Sequence, residues 1–264
     1  MEIPPIHLPA ATLFHIGPLP VTNTMLLGGI GVAVMLTILI SAAMQLRAGK
    51  QNRFTGFVQW VFEGMYSNIY TIIPDKKIAA SIAPLALTIF FTVLCTYWIS
   101  IIPGVGSIKL NGHELLRGLP TDLNFTTAIA VITMVTVQIY AVKHHGFFKN
   151  IGRYLINPFK DPIGSFEGLL EIVGEGSRLL ALSFRLFGNA FAGEVLLMIV
   201  GALSGYFASL SLPVFMAFEL FIGFIQAYVF YMLTLIFAAL ATMSHGGHTS
   251  PDHSAPPLRT GTAE

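Results

Sequence analysis

Charge is what this sequence lacks most. Lys, Arg, Asp and Glu make up 10% of its 264 residues, against roughly a quarter in an ordinary soluble domain, so it cannot clothe a water-facing surface. The formal net charge is only +1, which leaves no basic field for phosphates and excludes a nucleic-acid partner. Its single cysteine, Cys95, lies in an apolar run. An internal disulfide and a Cys-based metal cluster are thereby excluded. Residues 1–23 contain no Lys or Arg, so the basic start of a signal peptide is missing. A Walker loop, a GxSxG elbow, HExxH and a suitably placed GxGxxG are absent too. No soluble catalytic centre, cofactor site or metal site is expected. The lack of an internal repeat counts against a secondary transporter built from inverted repeats.

What remains is apolar, 54% of the chain, and that composition indicates an all-α polytopic membrane protein, a single membrane domain with about five transmembrane helices. Residues 1–23, with prolines at 4, 5, 9, 18 and 20, read as an outer lead. Met25 to Leu46 forms the first span, and Arg47, Lys50 and Arg53 place its end in the cytoplasm. From Phe54 the pattern changes. Phe54, Phe57, Val58, Val61, Phe62, Met65 and Ile69 recur at three-and-four spacing with Gln59, Glu63 and Asn68 between them. Residues 54–73 are therefore an amphipathic helix, lying on the membrane surface with Trp60 and Tyr66 at the headgroups, packed under other spans, or both.

Lys76 and Lys77 stay cytoplasmic, Ile78 to Ile102 is the second span, and residues 103–122 form an outer loop. In that loop Lys109 and Arg117 are offset by Glu114 and Asp122. Leu123 to Val142 returns, ending at Lys143, His144 and His145. Two long stretches follow, Pro162 to about Leu212 and Pro213 to Thr242, which make a helix pair over residues 163–243. The second alone would reach ~45 Å, more than a ~30 Å hydrocarbon core requires, so both helices should tilt. The tail, residues 244–264, is polar and flexible, and its His245 and His248 do not amount to a metal site. Five crossings put the N-terminus outside and the C-terminus in the cytoplasm.

Within this apolar frame Leu179 to Val200 carries Arg185, Asn189 and Glu194. An arginine near mid-bilayer costs roughly 3 to more than 10 kcal/mol, so it needs a carboxylate, a water-filled cavity or a task. At 100° per residue Glu171, Glu175, Arg178, Arg185 and Asn189 fall near one face, and Glu194 projects about half a turn round, ~13 Å farther along. Glu219 and Gln226 share a face of the last helix, near Tyr228 and Tyr231. Plainer roles exist for each: an ion pair for Arg185, a neighbouring helix for Glu194, interhelical hydrogen bonds for Glu219 and Gln226. Gly201 and Gly205 form a weak GxxxG. The functional alternative is a broken proton path. Carboxylates exchange protons, and arginine stays a fixed cation that blocks leakage between two proton-accessible sets and attracts a carboxylate on a moving partner. A self-contained channel or transporter gated by an Arg185–Glu194 pair is the competing class, and a purely structural anchor a third.

The runs FRLFGNAFAGE (Phe184 to Glu194), ELFIGFIQAYVF (Glu219 to Phe230) and PTDLNFTT (Pro120 to Thr127) resemble subunit a of the rotary F-type ATP synthase, in order and spacing across nearly the whole chain. The resemblance implies the stator half of a proton motor, non-catalytic in itself. Arg185 would face the essential carboxylate of the rotating c-ring. Asn189, Glu194, Glu219 and Gln226 would line or flank an outer half-channel, and Glu171 would lie toward the cytoplasmic one. Some bacterial relatives carry His at the position of Glu219. The implied partners are the c-ring, peripheral-stalk b subunits and the lipid bilayer, in an energy-coupling membrane such as the bacterial plasma membrane. Cross-links to the ring would be sought from the Arg185 helix, for instance at Leu182 or Leu186.

Overall fold

The computed structural model describes residues 9–106, 108–110, 113–146 and 162–242. Six α-helices follow one another: α1 (Asn23–Arg47), α2 (Arg53–Ile72), α3 (Lys76–Ser100), α4 (Leu123–His145), α5 (Pro162–Ser204) and α6 (Ala208–Thr242). The local chemistry explains their starts. Thr22 accepts from the Met25 amide at 3.3 Å, Asp75 from the Lys77 amide at 2.8 Å, and Asp122 from the Asn124 amide at 2.9 Å. Each cap satisfies a backbone donor that the first helical turn leaves open.

Helical stretches long and apolar enough to cross a membrane cover Asn23–Arg47, Lys76–Ser100, Leu123–Lys143 and Gly164–Thr242. The last is broken by a 3-10 turn at Gly205–Phe207 into α5 and α6. That break corrects the expected boundary near Pro213, which lies inside α6. Gly205 adopts φ +49°, a left-handed conformation that glycine reaches without a Cβ penalty. The Ser211 hydroxyl donates to that of Ser204 at 2.7 Å and closes the turn. Gly205 is thus a turn residue, not half of a helix-packing motif. At 1.5 Å per residue α5 and α6 would be ~65 and ~52 Å long. Both exceed the hydrocarbon core, so they tilt or run beyond it.

The core lies between α3 and α6. Ala83, Ala86, Phe90 and Val93 meet Ala227, Phe230, Tyr231 and Ala238, all buried. Between membrane helices there is little hydrophobic drive, so close packing across small residues does the work. Phe90 sets an edge against the Tyr231 ring at 6.1 Å. Helix α2 packs against other helices along one face, as one of its two readings had it. Met65 and Ile69 are buried and the Tyr231 hydroxyl donates to the Met65 carbonyl at 2.7 Å, while Phe57 and Trp60 stay exposed.

Two small antiparallel hairpins, not foreseen in the sequence, occupy the ends of the spans opposite the Arg47 and Lys76 flanks. β1 (Thr12–Ile16) pairs with β2 (Leu19–Thr22) in the lead, and β3 (Lys109–Leu110) with β4 (His113–Glu114) in the loop between α3 and α4. Asn23 ties them together, its amide group donating to the Glu114 carbonyl at 3.1 Å. The tail and its two histidines lie outside the described residues.

Candidate functional site

The direction of Arg185 is fixed by its neighbours. Leu182, Ser183, Leu186 and Ala190 of α5 are buried. The Ser183 hydroxyl shares hydrogen bonds with Thr127 at 2.9 Å and Thr126 at 3.3 Å. With that face turned inward, Phe184, Arg185 and Gly188 point away from the rest of the chain and are exposed. Among the described residues the chain gives Arg185 no hydrogen bond and no ion pair. A guanidinium left this way on an apolar helix is too costly to be a packing residue.

Toward the Gly205 end of α5 the polar groups converge from three helices. Asn189 donates through Nδ2 to the Gln226 Oε1 at 2.7 Å. Gln226 is buried, and its Nε2 has no partner among the described residues. Two turns before Gln226 on α6, the buried Glu219 accepts from the Tyr97 hydroxyl of α3 at 3.0 Å. Glycine makes this junction possible. A Cβ at Gly193 would fall on the Glu219 carboxylate, and one at Gly223 would strike the Tyr97 ring. Glu194 points elsewhere. Its carboxylate accepts from the Arg117 Nε at 3.1 and 3.3 Å.

A second polar set lies toward the Pro162 end of α5. A cavity of about 360 Å³ is lined by Gln138 of α4 and by Glu167, Glu171, Glu175 and Arg178 of α5, with Phe237 of α6 opposite. Gln138 donates to Glu175, and the Arg178 guanidinium lies 5.7 Å from the Phe237 ring centre. Arg185 is ten residues from Glu175 and nine from Glu194, so ~15 and ~13 Å along the axis separate it from each set. Among the described residues no group of three or more His, Cys, Asp or Glu is placed to hold a metal ion.

The family model described as ATP synthase A chain matches residues 25–239. The chain belongs to the ATP synthase A chain family. Among curated proteins it is 30% identical to the ATP synthase subunit a of Alteromonas mediterranea over 231 residues, 82% of this chain and 82% of that one. It is 30% identical to that of Mycobacterium bovis over 79% of this chain and 84% of the relative. For Acidothermus cellulolyticus the figures are 28%, 83% and 77%. The resemblance carried by FRLFGNAFAGE is borne out, and with it the all-α polytopic membrane architecture. As a member of the ATP synthase A chain family, the chain is a non-catalytic, membrane-sector component.

Of the residues singled out in the sequence, the structure joins Asn189 to Gln226 and sets Glu219 two turns from Gln226 on α6. Glu171 lies in the cavity at the other end. The interhelical hydrogen bonds expected as the plainer role of Glu219 and Gln226 are present. A gated Arg185–Glu194 pair is not. Glu194 is engaged by Arg117, and the two groups leave α5 in different directions. Leu182 and Leu186 also prove unsuited to cross-linking, since both are buried within the chain. Four contributors went unnoticed as site residues: Tyr97, Arg117, Gln138 and Glu167. Tyr97 had a signal, as a phenol inside a span needs a partner for its hydroxyl.

Proposed function

We propose that this chain is the stator subunit of the membrane sector of an F-type ATP synthase, with two proton half-channels that open against a rotating c-ring. The observation that carries the reading is Arg185, exposed and without a partner among the described residues, between two separate polar sets. A proton enters from outside past Glu194, reaches Glu219 near Asn189 and Gln226, and neutralises a carboxylate on the ring. The neutral site then moves into lipid at little electrostatic cost. A site that arrives at the other set, with Glu171, Glu175 and Glu167, gives its proton to the cytoplasm. Its ionised carboxylate is drawn to Arg185, which holds no transferable proton. Because the cation stands between the sets, a proton cannot cross without riding the ring. Rotation then drives ATP formation in a soluble head.

The unpartnered Nε2 of Gln226 supports a water or partner group at that point of the path. Peripheral-stalk b subunits and bilayer lipid complete the surroundings. The basic flanks of α1, α3 and α4 put the N-terminus outside and the C-terminus in the cytoplasm, in a bacterial plasma membrane. Reconstitution in liposomes under an imposed potential tests this reading. The purified chain alone should conduct no protons, and addition of the c-ring should open a pathway. Steady conduction by the chain alone would establish the self-contained channel instead.

A further inference from the structure

Arg117 is a charged group that the path above does not use. It precedes the Leu119–Thr121 turn, and its side chain is 6% exposed. Its Nε donates to both carboxylate oxygens of Glu194, and its Nη1 donates to the Pro9 carbonyl at 3.4 Å. The Glu194 side chain keeps 26% of its surface open, so the pair is enclosed at Arg117 and open at Glu194. A guanidinium gives up no proton in the relevant range and cannot relay one. It can hold a carboxylate as an anion in a single place, and an arriving proton must compete with it.

Resting on the proton path proposed above, we propose that Arg117 is the positioning residue of the outer entrance, holding the Glu194 carboxylate charged and aimed until a proton from outside displaces it. When the proton binds, the ion pair weakens and Arg117 stays anchored to Pro9. When the proton moves inward to Glu219, the pair re-forms. One proton enters and one leaves, and no covalent bond other than its own is made or broken. Truncating Arg117 alone leaves a largely buried carboxylate without its partner, a costly state. Removing both charges does not.

The experiment uses membrane vesicles carrying the whole complex, with ATP-driven proton pumping measured per assembled complex for Arg117→Gln, Arg117→Lys, Glu194→Gln and the double variant Arg117→Gln/Glu194→Gln. Arg117→Gln should slow pumping severalfold and Arg117→Lys should recover part of the loss. The double variant should match Glu194→Gln, since Arg117 then has nothing to hold. If the two single losses multiply in the double variant, or if Arg117→Gln pumps normally while Glu194→Gln is slow, this role of Arg117 is overturned and the path stands. Normal pumping by Glu194→Gln would overturn the entry through Glu194 and this role with it. Should Arg117→Gln fail to assemble, the double variant decides. Assembly with the rate of Glu194→Gln supports the proposal, and failure to assemble makes Arg117 a structural residue only.

Discussion

The hydroxyl of Tyr97 on α3 donates to the Glu219 carboxylate on α6 at 3.0 Å, a buried bond between residues 122 positions apart. It is a polar link between α3 and α6, and it holds Glu219 facing α5. Removing a donor from a buried charged group costs about 1.5–3 kcal/mol, and ~1.4 kcal/mol is a tenfold change in rate. Tyr97→Phe should therefore assemble and slow proton pumping by about tenfold or more, as read in vesicles from the quenching of a pH-sensitive dye. An unchanged rate would make the bond a packing detail.

Gly193 lies so close to Glu219 that any side chain there collides with the carboxylate. Gly193→Ala should displace Glu219 and lower both assembly and pumping. Shortening the acid by one methylene makes room, so adding Glu219→Asp should restore part of the assembled complex. Blue-native gels and pumping assays on the single and double variants would test this, and a double variant no better than the single one would contradict it.

The bonds from Ser183 to Thr126 and Thr127 set the rotation of α5 two residues before Arg185. They turn Phe184 and Gly188 outward and Leu182 and Leu186 inward. Cysteines at Phe184 or Gly188 should cross-link to cysteines on c-ring helices, and cysteines at Leu182 or Leu186 should not. The reverse pattern would mean that α5 presents another face to its partner.

The spans were legible in the sequence because lipid allows so few structures: apolar runs of spanning length must be helices. The boundary between α5 and α6 was misread because Pro213 resembles a helix breaker, whereas a proline near the start of a membrane helix is tolerated and Gly205 makes the turn. The lead hairpin left only a Gly17-Pro18 turn signal among scattered prolines. At the site, Arg185, Asn189 and Glu171 could be ordered along one helix from the sequence, since all lie on α5. Their partners could not be read that way. Tyr97 and Arg117 lie 122 and 77 residues from the carboxylates they hold, and no periodicity within one helix links such distant positions.

The central claim is that Arg185 is an electrical divider opposite a moving acid, and Arg185→Ala tests it most directly. Vesicles containing the assembled variant should show no ATP-driven proton pumping. Under an imposed potential, with no ATP, they should leak protons that wild-type vesicles retain. Coupled pumping by Arg185→Ala at the wild-type rate would contradict the account.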